Sequence, residues 1–388
     1  MKLLKISVSG LPLFGDTCEI DFVAMQRVTS DNAEKMSVLF SSATQTFYRN
    51  NVLAFIGINA SGKTSILKLI NFVSCLMNNE SINNIAYSEV LDGLTGDFRV
   101  VLDAYFASDD GTVNLLHTVI GKQKSRFVIL DEFIKSKPCA KIKNKTDIFA
   151  FDSVGPSVTR NKDEAFLLDD VSIMVAYNKK HPDTLSVTDM LHYTNTNELS
   201  ISEDCPAQLI AFFDPSVEYL HVRKNGKDTD IRLKFFAGEE IPLNQMSDLN
   251  RYLSSGTIKG INTFLNAVRA FETGGYLIVD ELENHFNHEI VSTLIRFCMD
   301  RKVNPKGAML IFSTHYAELL DEFERNDNIY IVRNRNGITA ENLSTILKRN
   351  DIKKSEAYQS GFLEGTVPMY DAYMDLKKSL MRTHTEGN

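Results

Sequence analysis

No two cysteines in this sequence stand in the C-x-x-C spacing that grips a zinc ion; the five present (Cys18, Cys75, Cys139, Cys205, Cys298) are scattered and odd in number. That argues against a zinc ribbon or a disulfide frame and for reduced thiols in a cytosol. No apolar run approaches the roughly 20 residues that cross a bilayer, so no membrane partner is expected. The opening Met1-Lys-Leu-Leu-Lys-Ile-Ser-Val alternates like a strand and lacks the core of a signal peptide, which makes the expected location cytoplasmic. Positive charge is not in excess: the net charge is −8, so the whole protein is no basic nucleic-acid coat and any such contact must come from a local patch. Repeats, low-complexity tracts and sustained heptads are missing too, which argues against a long coiled-coil arm.

What is present is a phosphate loop. Gly57-Ile-Asn-Ala-Ser-Gly-Lys-Thr64 spells G-x-x-x-x-G-K-T between an apolar strand at 52–56 and an amphipathic helix over roughly 63–78. Gly57 and Gly62 let the backbone fold around a polyphosphate, so that N–H groups from Asn59 and Ser61 to Ser65 and the helix N-terminus point at it. Lys63 supplies a point charge for the β/γ-phosphates, and Thr64 offers a hydroxyl to Mg²⁺. The chain is therefore expected to bind a nucleoside triphosphate. At 388 residues it has room for about two domains.

A phosphate loop needs an apolar strand ending in acidic residues, and two candidates compete. One is Phe127-Val-Ile-Leu-Asp131-Glu132. The other is Tyr276-Leu-Ile-Val-Asp280-Glu281. The second is preceded by Leu253-Ser-Ser-Gly-Thr257 leading into a helix, and is followed by Leu310-Ile-Phe-Ser-Thr-His315 at the end of another apolar strand. Three elements in order decide for Asp280 and Glu281, and make Asp131/Glu132 a strand end in a hairpin. Asn144-Lys145-Thr146-Asp147 spells a guanine-reading motif, but it follows a polar segment and precedes the only nearby D-x-x-G, at Asp152 to Gly155. ATP is the expected nucleotide. Strands are further expected at 98–106, 112–120 and 127–133, with turns at Asp109-Asp-Gly and Gly121-Lys-Gln, and a hairpin turn at Asn225-Gly226.

Taken together, these pieces resemble an ABC-type ATPase of the SMC/OLD-like (AAA-15/AAA-21) branch over nearly the whole chain. The resemblance rests on the N-terminal strand pair, the phosphate loop, Phe212-Phe-Asp-Pro-Ser-Val-Glu218, Ser254-Ser-Gly-Thr257, the run from Tyr276 to Asn284, Ser313-Thr-His315, and a Tyr358…Gly…Pro368 ending. It implies an α/β fold of the ABC/SMC-head type: a mixed central sheet, an N-terminal antiparallel β subdomain and an inserted α/β lid. The corresponding segments are 1–85 (phosphate-loop lobe), 86–245 (inserted strands and helical lid), 246–345 (signature, acidic strand and histidine switch) and 346–388 (helical tail).

The resemblance further implies ATP and Mg²⁺ as cofactors and a homodimer, or a larger assembly of it, with ATP sandwiched between copies. Lys63 and Thr64 would come from one copy; Ser254, Ser255 and Gly256 would come from the other. Asp280 would hold Mg²⁺, Glu281 would orient or deprotonate the attacking water, His315 would bond the γ-phosphate or that water, and Asn284 would lie at the interface. The chain departs from the pattern at Leu253, where an acidic residue is usual, and at Asn287-His288, where histidine–proline is usual. The lid glutamine has no clear counterpart; Gln123 and Gln208 are the nearest. Fewer than 50 residues follow residue 341, with no acidic nuclease cluster. The chain so resembles the stand-alone ATPase subunit of bacterial phage-defence systems (PARIS-like), which controls a separate nuclease or toxin effector. The alternative is an SMC-like ATPase that binds DNA in repair or tethering, through the lysines between Lys122 and Lys145. A transporter ATPase fits less well, because the signature is S-S-G-T.

Overall fold

The computed structural model describes residues 1–160, 167–182, 184–192, 197–201, 204–225, 228–284, 286–366 and 370–385. Its centre is a six-stranded sheet in the order β10 (Val187–Met190), β14 (Tyr276–Val279), β15 (Met309–Thr314), β5 (Val52–Ile56), β16 (Ile329–Asn334) and β17 (Ile338–Asn342). All neighbours are parallel except β16 and β17. Parallel sheets are covered on both faces, so their strands read as unbroken apolar runs, and β5, β14 and β15 are buried along their whole length.

Alternate residues of β5 face opposite layers. Leu53 and Phe55 join a core with helix α1 (Lys63–Met77) and the antiparallel sheet described next. Val52, Ala54 and Ile56 join a second core with α2 (Ser255–Thr273) and α3 (His288–Met299). Both latter helices start on side-chain caps: Ser254 Oγ accepts from Thr257 N at 3.0 Å, and Asn287 Oδ1 accepts from Ile290 N at 2.9 Å.

The second six-stranded sheet is antiparallel throughout: β2 (Thr17–Asp21), β1 (Lys2–Ser9), β6 (Val100–Ala107), β7 (Thr112–Gln123), β8 (Arg126–Pro138) and β9 (Pro156–Thr159). β1 pairs on both sides, so the strands after residue 86 complete the N-terminal sheet instead of standing apart from it. A lone strand pair leaves an open edge, and the later strands close it. Two tyrosines tie the layers together. The Tyr276 hydroxyl accepts from Leu3 N at 2.8 Å and from the buried Arg49 guanidinium at 3.1 Å, and the Tyr330 hydroxyl accepts from Asp21 N at 2.8 Å. Elsewhere, β3 (Met36–Ser41) pairs with β4 (Thr46–Asn50). A small sheet of β11 (Val217–Asn225), β12 (Asp228–Phe235) and β13 (Ile241–Leu243) has its own core, shared with Ile258 and Ile261 of α2. The expected hairpin pairs Asn225 with Asp228, while Gly226 lies outside the described residues, as do His285 and Pro368.

Two expectations are corrected here. Strand β7 continues through Gly121 to Gln123, and the turn falls at Lys124, with φ 58°. Asp131 and Glu132 do not end a strand: they sit mid-β8, opposite Val119 and Thr118. Strand alternation sends Asp131 outward and Glu132 fully inward. Inside, Glu132 accepts from Thr118 Oγ1 (3.0 Å), Ser172 Oγ (2.7 Å) and Ile173 N (2.8 Å), and pairs with Arg160 at 3.1 Å. Burial raises the Glu132 carboxyl above its ordinary range, and these hydrogen bonds and Arg160 oppose the shift. Asn144 caps a short helix, its Oδ1 accepting from Asp147 N at 2.9 Å, while Lys145 donates to the carbonyls of Met25 and Gln26.

Removing one partner of a buried ion pair leaves an uncompensated charge. Glu132→Ala is therefore expected to lower the unfolding free energy by about 3–5 kcal/mol in urea titration. Asp131→Ala should change it by no more than about 0.5 kcal/mol. Equal losses in the two variants would contradict the assignment.

Candidate functional site

Because β5, β14 and β15 run parallel, their C-terminal ends share one edge, where open α/β sheets gather ligand-binding loops. Residues 57–62 leave β5 there. Two of their glycines have steric reasons. A Cβ on Gly57 would stand 2.4 Å from Ser61 Oγ and 2.5 Å from the Val332 carbonyl oxygen. Gly62 has φ +97°, and a Cβ there would meet Ile338 side-chain carbons at 2.6 Å. Ser61 Oγ is buried and finds no hydrogen-bond partner among the described residues. Lys63 folds back into the loop, its Nζ donating to the carbonyls of Gly57 (2.9 Å) and Ile58 (3.3 Å). Burial lowers the Lys63 ammonium below an ordinary lysine, and Asp280, Glu281 and Glu283 pull it back up.

The acidic edge closes over the loop. Asp280, 9% exposed, accepts from Thr64 Oγ1 at 2.7 Å through one oxygen and from Ser313 Oγ through the other. Ser313 Oγ in turn accepts the Glu281 N–H at 2.7 Å, and the Ser313 carbonyl accepts from Leu282 N at 3.1 Å. Those bonds hold Glu281 in a left-handed backbone conformation, φ 47°, a costly place for a residue with a Cβ. Its side chain is 44% exposed, and Oε2 accepts from Asn284 Nδ2 at 3.2 Å.

His315 follows β15. Its Nδ1 lies 3.3 Å from Lys63 Nζ and its Nε2 lies 3.5 Å from Glu281 Oε1. An ammonium only donates, so in the contact with Lys63 the His315 Nδ1 accepts, and the tautomer that fits this contact carries its hydrogen on Nε2, toward Glu281. A buried carboxylate, Glu283 Oε1, accepts the His315 main-chain N–H at 2.6 Å.

The cavity bounded by residues 59–65, Glu281 and His315 on one side and by Leu13, Asn334, Gly337 and Ile338 on the other has a volume of about 680 Å³, within the range of small-ligand sites. A larger cavity of about 770 Å³, lined by Phe212, Phe264, Phe271 and Phe297, shares no residue with it. That one is apolar, so the polar side chains of the candidate site gather at the smaller. The structure thus brings together the phosphate loop, Asp280, Glu281 and His315.

It does not bring Ser254, Ser255 or Gly256 to that cavity. They form the start of α2, with Ser254 and Ser255 exposed. Gln123 ends β7 and Gln208 lines the apolar cavity, so neither reaches the phosphate loop. Among the described residues no group of three His, Cys, Asp or Glu side chains is placed to hold a metal ion by itself. The linking role of Ser313, the clamp made by Glu283 and the far wall from Leu13 and Ile338 were missed in the sequence. Only the position of Glu283 inside the acidic phrase hinted at its part.

Compared with known proteins, the chain matches no protein-family model and no curated protein. Its chemistry therefore has to be read from this geometry. If Ser313 is what fixes the acidic edge, Ser313→Ala leaves the strained Glu281 N–H without its acceptor. A loss of about 1–3 kcal/mol of unfolding free energy is expected in urea titration, and unchanged stability would contradict that role.

Proposed function

We propose that this protein binds ATP with Mg²⁺ in the cavity over residues 57–65 and hydrolyses it to ADP and phosphate, with each site completed by a second copy of the chain. The observation that carries the proposal is the convergence of Lys63, Thr64, Asp280, Glu281 and His315 at one sheet edge, beneath a loop whose glycines tolerate no side chain. Such a loop presents backbone N–H groups to an anion. The unpartnered Ser61 hydroxyl and the ammonium of Lys63 are donors that a triphosphate would engage, drawing Lys63 from its own carbonyls.

Thr64 and Asp280 are hard oxygen donors in contact at 2.7 Å, and they would hold Mg²⁺ jointly with the phosphates. When bound, the ion neutralises charge on the β- and γ-phosphates. Glu281, exposed at the cavity wall, would orient the attacking water or take its proton. His315, with the hydrogen on Nε2, would donate to the water or to the γ-phosphate. The water oxygen bonds to phosphorus, the bond to the β-phosphate oxygen breaks, and ADP leaves.

The separation of Ser254, Ser255 and Gly256 from this cavity supports the shared site. In a head-to-tail pair, the exposed N-terminus of α2 would meet the γ-phosphate held by the other copy. This is the arrangement of ABC-type ATPases of the SMC/OLD-like branch, which the α/β architecture accommodates. From the same resemblance we carry the larger role: a nucleotide-gated switch over a separate effector in phage defence, tested by co-purification with the neighbouring gene's product. The DNA-tethering alternative loses ground at its lysines, since Lys135, Lys137 and Lys145 donate to main-chain carbonyls at Phe151, Ala150, Met25 and Gln26.

Two outcomes test the reading. Lys63→Ala should abolish ATP binding in calorimetric titration; retained affinity would remove the loop from the site. Glu281→Gln should keep ATP binding and stop turnover, so that native mass measurement with MgATP shows a trapped dimer. An unchanged hydrolysis rate in that variant would remove Glu281 from water activation.

A further inference from the structure

Glu283 lies in the turn after β14 and is 6% exposed. One carboxylate oxygen accepts the His315 N–H at 2.6 Å, and the other has no hydrogen-bond partner among the described residues. His315 is the first residue beyond β15, where the strand ends. The imidazole ring touches its charged neighbours more loosely, at 3.3 Å from Lys63 and 3.5 Å from Glu281. A hydrogen bond to an ionised acceptor is about twice as strong as a neutral one. The short bond is therefore the one on the backbone, and it sets where the ring can fall.

We propose that Glu283 is the positioning residue of His315. Its carboxylate fixes the main chain from which the ring spans Lys63 and Glu281, and it touches no reacting atom itself. The assignment rests on His315 acting in ATP hydrolysis as proposed above. A carboxylate that merely supported the strand end would act independently of the ring, whereas a positioning residue loses its effect once the ring is gone.

The test uses the full chain and four variants: Glu283→Gln, Glu283→Ala, His315→Ala and the double alanine variant. Turnover is measured at saturating MgATP, and ATP affinity is measured separately by calorimetry. The amide oxygen of Glu283→Gln still accepts the N–H, so its kcat should stay within about threefold of the parent; Glu283→Ala should lose about tenfold or more in kcat with ATP affinity unchanged. The double variant should turn over no more slowly than His315→Ala.

Losses that multiply in the double variant would overturn the inference. So would a wild-type kcat in Glu283→Ala. If Glu283→Ala fails to fold, Glu283→Gln decides: a drop of tenfold or more there overturns the inference, and near-parent turnover sustains it. A parent chain that binds ATP but does not hydrolyse it overturns the reading beneath, a failure that needs no variant to detect.

Discussion

Asp280 is the side chain on which the site depends. It is nearly buried, and its two oxygens are bound by hydroxyls from different elements: Thr64 at the start of α1 and Ser313 near the end of β15. A buried carboxylate with both oxygens satisfied is stabilised, and one without partners is costly. The arrangement therefore fixes the distance between phosphate loop and acidic strand before any ligand arrives. Through Ser313 the same network reaches Glu281 and holds its backbone in a left-handed conformation that few residues adopt. The strain is local and is sustained by the parallel sheet beneath, whose strands β5, β14 and β15 are buried along their whole length.

The resting geometry also has a direction. Lys63 donates to its own loop and to His315, and His315 lies between Lys63 and Glu281. A polyanion entering the cavity competes for the lysine and so frees the ring. Charge makes that competition asymmetric, since Asp280, Glu281 and Glu283 act on one ammonium and leave the cavity rich in negative charge. Under the proposed function, such a site would favour triphosphate accompanied by a cation over triphosphate alone.

Much of this was legible in the sequence because the signals are local. A strand, six loop residues and a helix form the proposed phosphate site within one stretch, and the preference for Asp280 over Asp131 rests on order along the chain. The pattern around Glu132 was misleading for a physical reason. Its partners Arg160 and Ser172 come from later segments, and only tertiary pairing shows that a carboxylate there faces inward. Membership of the antiparallel sheet was equally hidden, because alternation tells which face a strand buries and not which strand it pairs with. Glu283 and Ser313 stood inside recognised phrases, yet their bonds cross between strand ends that no linear spacing relates.

The central claim is that one working site takes residues from two copies of the chain. The direct measurement mixes two disabled variants, Lys63→Ala and Ser254→Arg, in equal amounts and follows ATP hydrolysis. In a symmetric head-to-tail pair, half of the dimers combine the two variants, and each of those has one site free of both changes, so about a quarter of the parent activity should return. If each chain carries a complete site of its own, the mixture will do no better than the average of its two components, and the shared-site account is wrong.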